Sequence, residues 1–423
     1  MKRERDWRNL VQINNMALKE LLDEYEELKK RHFHIDMTRG KPSKEQLDLS
    51  LSMMDALTSD SVFLDANGND VRNYGTLDGI PECKRLMSQI LGVPEKNVIV
   101  FGNSSLNAMY DQIARSYSHG VCGNIPWSKL NRVKWLCPVP GYDRHFSITE
   151  HFGIEMISIP MNNEGPDMDV VEELVKDEMV KGIWCVPKYS NPSGIIYSNE
   201  TIRRFAKLKP AAKDFRVYWD NAYVLHDFFE EKALLNVFDE AKKNNNEDLF
   251  YIFVSTSKLS FPGGGIAAIG TSDKNIIDII GQMKFQTIGF DKINQLRHVK
   301  YFKDLDGLRE HAKKHGKILQ RKFDIVTKAL SLLPPDVFEW TRPSGGYFVT
   351  VRINGLAKEI IERCKWCGVV LTESGSTHPY HYDETNSFIR IAPSFINDDE
   401  LEIAMRVFVL SASIEFLKKE QGK

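Results

Sequence analysis

Apolar residues recur at helical spacing from about Asp6 to about Arg31, where Leu10, Val11, Ile13, Met16, Leu18, Leu21, Leu22, Tyr25 and Leu28 alternate with charges. The pattern predicts an amphipathic helix at the start of the chain. Arg39-Gly40-Lys41-Pro42 and Asn73-Tyr74-Gly75-Thr76-Leu77-Asp78-Gly79 follow as turn-rich loops. Short apolar runs then alternate with helix-like stretches. The runs are Val98-Ile99-Val100-Phe101, Lys134-Trp135-Leu136-Cys137, Glu155-Met156-Ile157-Ser158-Ile159, Gly182-Ile183-Trp184-Cys185-Val186, Arg216-Val217-Tyr218-Trp219 and Phe250-Tyr251-Ile252-Phe253-Val254, each a strand candidate. Such alternation predicts an α/β domain on a largely parallel sheet. One long helical stretch near Asn294 to Leu332 ends at Pro334-Pro335. New strands expected at Gly346 to Val351 and Ser387 to Ile391 predict a smaller α+β domain. The polar run Lys242 to Asp248 reads as a solvated surface loop, and there is no internal repeat.

Bulk properties narrow the class. At 423 residues the chain exceeds the size at which one core stops growing, so at least two domains are expected. Hydrophobic residues at 42% and charged residues at 27% match ordinary globular usage, which disfavours disorder and fibres. A formal net charge of −2 with no long basic block excludes an electrostatic footprint for nucleic acid or anionic membrane and leaves small molecules as partners. No apolar core follows the charged start, Met1 to Trp7, so it fails as a secretory signal, and no apolar run is long enough to span a bilayer. Six cysteines without an export signal read as free thiols in a reducing compartment, with the cytoplasm expected.

Ligands of open parallel sheets bind beyond the carboxyl ends of the strands, so polar residues just after each strand candidate are the ones to inspect. After Phe101 come Gly102-Asn103-Ser104-Ser105 and a helical run, either a plain N-cap or an anion cradle. After Val186 comes Ser190-Asn191-Pro192-Ser193-Gly194, otherwise an ordinary Asn-Pro turn. Trp219 delivers Asp220-Asn221-Ala222-Tyr223, a carboxylate and a phenol three apart. The last of these strands ends in Ser255-Thr256-Ser257-Lys258. Burial there disfavours a charged lysine, and the same desolvation makes it a nucleophilic amine suited to Schiff-base chemistry.

The order of these features, with Tyr142 after a strand and Arg390 near the end, resembles the class I, fold-type I pyridoxal phosphate aminotransferases. The likeness runs from Arg39-Gly40-Lys41-Pro42 to Arg390-Ile391-Ala392-Pro393-Ser394, nearly the whole chain. It is strongest to a bacterial branch described as aspartate aminotransferases, through Gly102 to Leu106, Pro138-Val139-Pro140-Gly141-Tyr142-Asp143-Arg144-His145-Phe146 and Gly375-Ser376-Thr377-His378-Pro379-Tyr380.

The resemblance implies a Schiff base between pyridoxal phosphate and Lys258, which also serves as general base, and Asp220 against the pyridine nitrogen. It further implies Asn191 and Tyr223 on the ring 3-oxygen and Tyr142 stacked on the ring. Ser104, Ser105, Ser255 and Ser257 would hold the phosphate, with Tyr74 reaching it from the other subunit of a homodimer. Arg390 would bind the substrate α-carboxylate, since a guanidinium makes two parallel bonds to a carboxylate, with Gly40 and Asn191 on the same side. Arg144 would be a cation for a distal carboxylate, otherwise a surface ion pair, and Arg297 and Lys300 are weaker candidates. By this likeness residues 1–33 form an N-terminal arm, 73–314 the large cofactor-binding domain, and 34–72 with 315–423 the small one. One departure stands out. Many members carry a phosphate-pairing arginine eight residues after the lysine, where this chain has Ile266. The bacterial branch shares that change.

Competing readings are weaker. Gly263-Gly264-Gly265-Ile266-Ala267-Ala268 imitates a dinucleotide fingerprint of a nicotinamide dehydrogenase, but it sits several residues past a strand and runs into another. Cys364-Lys365-Trp366-Cys367 lacks a second ligand pair, and His378 to Asp383 reads as a loop beside the cleft with no metal expected. A cofactor-sensing transcription regulator needs a DNA-binding module, and the short segment before the Arg39-Gly40 loop is expected to be too small for a winged helix-turn-helix. Other reactions of the same cofactor, including aromatic or alanine transamination and β-elimination, stay open, because the protein selects the bond that breaks by orienting the substrate.

Overall fold

A computed structural model of the chain describes residues 14–422. The N-terminal helix spans Asn14–Lys29, and the portion expected from Asp6 to Ile13 lies outside the described residues. Its inward stripe is Leu18, Leu21, Tyr25 and Leu28, all buried, with the Tyr25 hydroxyl donating to the Arg363 carbonyl at 2.7 Å.

The main sheet has eight strands, numbered here in chain order: β1 Val98–Phe101, β2 Lys134–Val139, β3 Glu155–Asn162, β4 Gly165–Pro166, β5 Val180–Cys185, β6 Arg216–Asp220, β7 Phe250–Ser255 and β8 Ala267–Gly270. They lie in the order β1-β8-β7-β6-β5-β2-β3-β4. β3, β2, β5, β6 and β7 are parallel neighbours. β8 is antiparallel to both β1 and β7, so β1 runs with the parallel set, and β4 is an antiparallel edge. Every residue of β1, β5, β6 and β8 is buried, which explains why these strands read as continuous apolar runs rather than alternating ones. Trp135, Trp184, Tyr218 and Phe253 form the core on one face, and Leu136, Ile183, Val217 and Ile252 the core on the other. A single buried charge in β5, Lys181, pairs with Asp214 at 2.7 Å.

A third core joins the N-terminal helix, the later turns of helix Leu305–Leu330, helix Asp398–Glu420 and an antiparallel sheet of Glu339–Trp340, Val349–Arg352 and Phe388–Ile391. A short parallel pair, Ile35–Asp36 with Val369–Val370, links the segment after the first helix to this smaller α+β unit. The α/β architecture with a smaller α+β part is therefore the one expected.

Three expectations need correction. The long helical stretch is two helices, Lys292–Phe302 and Leu305–Leu330. Lys303 sits at φ +68° and the Asp304 carboxylate accepts from Gly307 N at 2.8 Å, an N-cap that restarts the helix. The strand expected from Gly346 begins at Val349, because Gly346 lies at φ +83° and donates its N–H to the His226 carbonyl at 2.9 Å. The polar run from Lys242 is not all loop: it starts in the last turn of helix Val237–Lys243, and Asn246 Nδ2 donates to the Ala206 and Leu208 carbonyls, each at 3.0 Å. All six cysteines are free, with only Cys122 partly exposed. Among the described residues no helix is long and apolar enough to cross a membrane.

Candidate active site

The carboxyl ends of the parallel strands open on one edge of the sheet. Asp220, last in β6, pairs in register with Phe253 of β7, which brings it near Lys258, three residues beyond the end of β7. The Lys258 amine lies 4.9 Å from the Tyr223 ring centre and 5.9 Å from that of Tyr347. Burial pulls its pKa below the ordinary lysine value, with the Asp220 charge acting in the opposite sense. Asp220 is 3% exposed. Its Oδ2 is 3.2 Å from His145 Nε2, while Oδ1 is buried with no partner. Leaving such an oxygen unpaired costs about 1–3 kcal/mol, so the position suits a ligand N–H. His145 stacks on Trp184 at 4.4 Å and 12°, and meets Tyr142 edge-on at 4.9 Å. Burial pushes the Tyr142 phenol up to about 12 and Tyr223 well above the ordinary phenol value, so both keep their protons and can donate.

Arg390 leaves the small sheet opposite Thr350 and points into the same cleft, its side chain 2% exposed. Nη1 donates to Asp143 Oδ1 and Asn191 Oδ1, both at 3.2 Å. Nη2 donates to the Thr38 carbonyl and Thr372 Oγ1, both at 3.1 Å, and Nε to Thr372 Oγ1 at 3.2 Å. The guanidinium carbon stands 5.1 Å from the Phe348 ring centre. That ring explains Gly40, since a Cβ there would fall 2.5 Å from Phe348 Cζ. Asn191 spends only its Oδ1 on Arg390, which leaves its amide N–H groups for a ligand.

The two serine pairs come together. Ser104 caps helix Ser105–His119, accepting from Leu106 N at 3.2 Å, so the N-cap reading holds without excluding a cradle. The Ser257 hydroxyl donates to the Asn103 carbonyl at 2.6 Å, which sets the loop after β7 beside the loop after β1. Ser255 faces Ala267 across the β7–β8 ladder. Ile266 is 1% exposed in the core, so it offers this cradle no charge. Arg297 lies by the same glycine loop, with Nη2 3.8 Å from the Cβ position of Gly264 and Nε buried without a partner. The glycine run opens no helix: it turns from β7 into β8.

Two expected residues stand apart within one chain. Tyr74 is 83% exposed. Arg144 is exposed at the start of helix Asp143–His151 and makes no ion pair with a described residue.

Several side chains that line or support the cleft carried no assigned role in the sequence. His145 lies three residues after Tyr142, a spacing that puts both on one helical face and was the available signal. Asp143 and Thr372 gave none. Behind Lys258 lies a buried histidine layer. His311 Nε2 is 2.8 Å from the Leu259 carbonyl and 3.1 Å from His315 Nε2. His298 Nε2 is 3.0 Å from Ser260 Oγ, and Gln46 Nε2 lies 3.3 Å from His315 Nδ1 and donates to the Tyr347 hydroxyl at 2.9 Å. These contacts fix the Lys258–Ser260 turn.

A lysine amine of lowered basicity, a buried carboxylate with a spare acceptor, a buried arginine and a hydroxyl-lined helix start thus share one cleft. A family model described as aspartate amino-transferase matches residues 12–422. An aspartate aminotransferase of Corynebacterium glutamicum is 44% identical over 386 residues, covering 90% of this chain and 89% of that protein. The crystal structure of an aspartate transaminase from the same species superposes with a TM-score of 0.93 at 41% identity, over 97% of this chain and 99% of that one. The Thermus thermophilus α-aminoadipate aminotransferase LysN, complexed with N-(5′-phosphopyridoxyl)-L-leucine, shares the fold at a TM-score of 0.74 and 17% identity, over 98% of each chain. With a matching family model, extensive identity and a common fold-type I architecture, the chain belongs to the aspartate aminotransferase family and is an enzyme that moves an amino group between an amino acid and a 2-oxo acid.

Proposed function

We propose that the chain carries pyridoxal phosphate on Lys258 and transfers the amino group of aspartate to 2-oxoglutarate, giving oxaloacetate and glutamate. Pyridoxal phosphate is the standard cofactor of this fold; when bound it supplies an aldehyde that combines with amines and a ring that draws electrons from the substrate Cα. The observation that carries the reading is the placing of the Lys258 amine, its proton affinity lowered by burial, near the unpartnered Asp220 Oδ1 in the same buried pocket.

In this reading Lys258 anchors the cofactor and its freed amine takes the proton from the substrate Cα. Asp220 Oδ1 accepts the ring N–H, and His145 fixes the other oxygen so that the carboxylate cannot rotate away. Tyr223 and the Asn191 amide donate to the ring 3-oxygen, and Tyr142 covers the ring face. Ser104, Ser105, Ser255 and Ser257 hold the phosphate. Arg390 takes the α-carboxylate, beside Asn191 and the closely packed backbone at Gly40, and Arg144 the distal one. Tyr74 completes the phosphate site of a partner subunit in a homodimer. Its exposure, and that of Phe285 and Ile288 at 85% and 61%, support an interface there, because Gly289 packs against the Gly75 and Thr76 carbonyls. Free thiols fit a cytoplasmic setting.

The 44% identity to the C. glutamicum enzyme supports aspartate as donor. A spectral titration of the purified protein with a panel of amino acids tests both cofactor and donor: aspartate should convert the yellow form at the lowest concentration, and a colourless protein that takes up no pyridoxal phosphate would refute the reading. Arg144→Ala should raise KM for aspartate by about tenfold, as for a lost charge-assisted pair, and leave alanine nearly unaffected; equal losses would remove Arg144 from its role.

A further inference from the structure

All five N–H groups of Arg390 are engaged, the full donor capacity of a guanidinium. An incoming carboxylate therefore has to displace a group already there. Four of those bonds go to neutral acceptors, and the remaining one goes to a carboxylate, Asp143 Oδ1 at 3.2 Å. The other Asp143 oxygen is 3.3 Å from Arg39 Nη1. Arg390 is almost fully buried, Asp143 is 13% exposed and Arg39 is 43% exposed, so the chain of charges runs from the cleft floor to its mouth.

We infer that Asp143 is an internal stand-in for the substrate carboxylate, holding Arg390 until substrate arrives and then staying with Arg39. The inference rests on the assignment of Arg390 as the α-carboxylate site. A buried guanidinium without a counter-ion is strongly disfavoured, and Asp143 supplies one when the cleft lacks substrate. Once a substrate carboxylate takes Nη1, two anions would face one cation, and their repulsion drives Asp143 outward. Arg39 gives it an alternative partner at the solvent edge, so the exchange strands neither charge. Asp143 is then a positioning and competing residue: it sets how strongly a ligand must bind Arg390 to enter, and so selects for carboxylates over neutral amines.

The test is binding of maleate, a dicarboxylate with no amino group to react, to the cofactor-loaded protein by calorimetry. Asp143→Asn keeps the side-chain shape and removes the competing charge. Its maleate Kd should fall about two- to fivefold, the range expected for losing one partly exposed charge contact. Asp143→Ser should move the Kd the same way, which covers the case of an asparagine variant that does not fold. A structural role alone would weaken binding, so an unchanged or higher Kd overturns the inference. Arg39→Gln should weaken maleate binding in the wild-type background and have little effect with Asp143→Asn; equal effects in both backgrounds would show that Arg39 does not act through Asp143. Arg390→Gln separates the two levels. If it binds maleate as well as the wild type does, the assignment of Arg390 itself fails; if it loses binding while Asp143→Asn gains none, only the stand-in fails.

Discussion

An amine is a nucleophile only when unprotonated, and an ordinary lysine near neutral pH is almost wholly protonated. Burial against Tyr223 and Tyr347 shifts Lys258 toward the unprotonated form, with the nearby Asp220 carboxylate acting in the opposite sense. Asp220→Asn should still take up pyridoxal phosphate but lose about 10²–10³-fold in kcat, the usual loss when one preorganised electrostatic partner is removed; steady-state kinetics on the reconstituted variant would check it, and near-normal kcat would contradict the role. Gly40→Ala should act mainly through KM, because the new Cβ would push the Phe348 ring that carries Arg390. At this scale the sequence was informative wherever a polar residue follows a strand: Lys258, Asp220, Asn191 and Ser104 were all visible there. Asp143, Thr372 and the unpartnered Asp220 oxygen were not, because they depend on which side chains from distant segments meet. Thr372 and Arg390 are 18 residues apart, and Asp143 and Arg390 are 247.

Strand positions were legible because fully buried strands of a parallel sheet leave continuous apolar runs. Helix boundaries were not, since Lys303 and Asp304 break a continuous apolar period by local backbone geometry and a cap. Asp304→Ala should lower stability by about 1 kcal/mol, the usual worth of an N-cap, measurable by denaturant unfolding. The two helices it separates carry His298, His311 and His315 under the Lys258–Ser260 turn. Burial holds the His298 pKa down at about 4 and that of His315 at about 3. The unfolded chain, near 6.5, binds these protons first. Stability is therefore complete above about pH 6.5 and falls with pH until the folded-state values are passed, by on the order of 2 kcal/mol per group at pH 5. Denaturant midpoints at pH 7.5 and pH 5 should show this drop, and His298→Gln or His315→Gln should reduce it; an unchanged slope would mean that these imidazoles are not held neutral by the fold.

At the scale of the molecule, the cleft lies where residues from the helix and loop that follow strands of the main sheet, Asp143 and Asn191, meet residues of the smaller unit, Arg390 and Thr372. Composition predicted two compact parts but could not show that the arginine of one part would be satisfied by the other. A whole-molecule arrangement in which Tyr74 serves a neighbour's site makes a specific prediction. Mixing inactive Lys258→Ala with a severely impaired Tyr74 variant, such as Tyr74→Ala, should restore activity, because one site of each hybrid dimer regains both residues; no recovery would count against a shared site. The most direct measurement concerns Lys258. Protein incubated with pyridoxal phosphate, reduced with borohydride and mapped by peptide mass spectrometry should carry one phosphopyridoxyl group, on Lys258. No label, or a label on another lysine with Lys258 unmodified, would contradict the assignment of this residue as the cofactor's anchor.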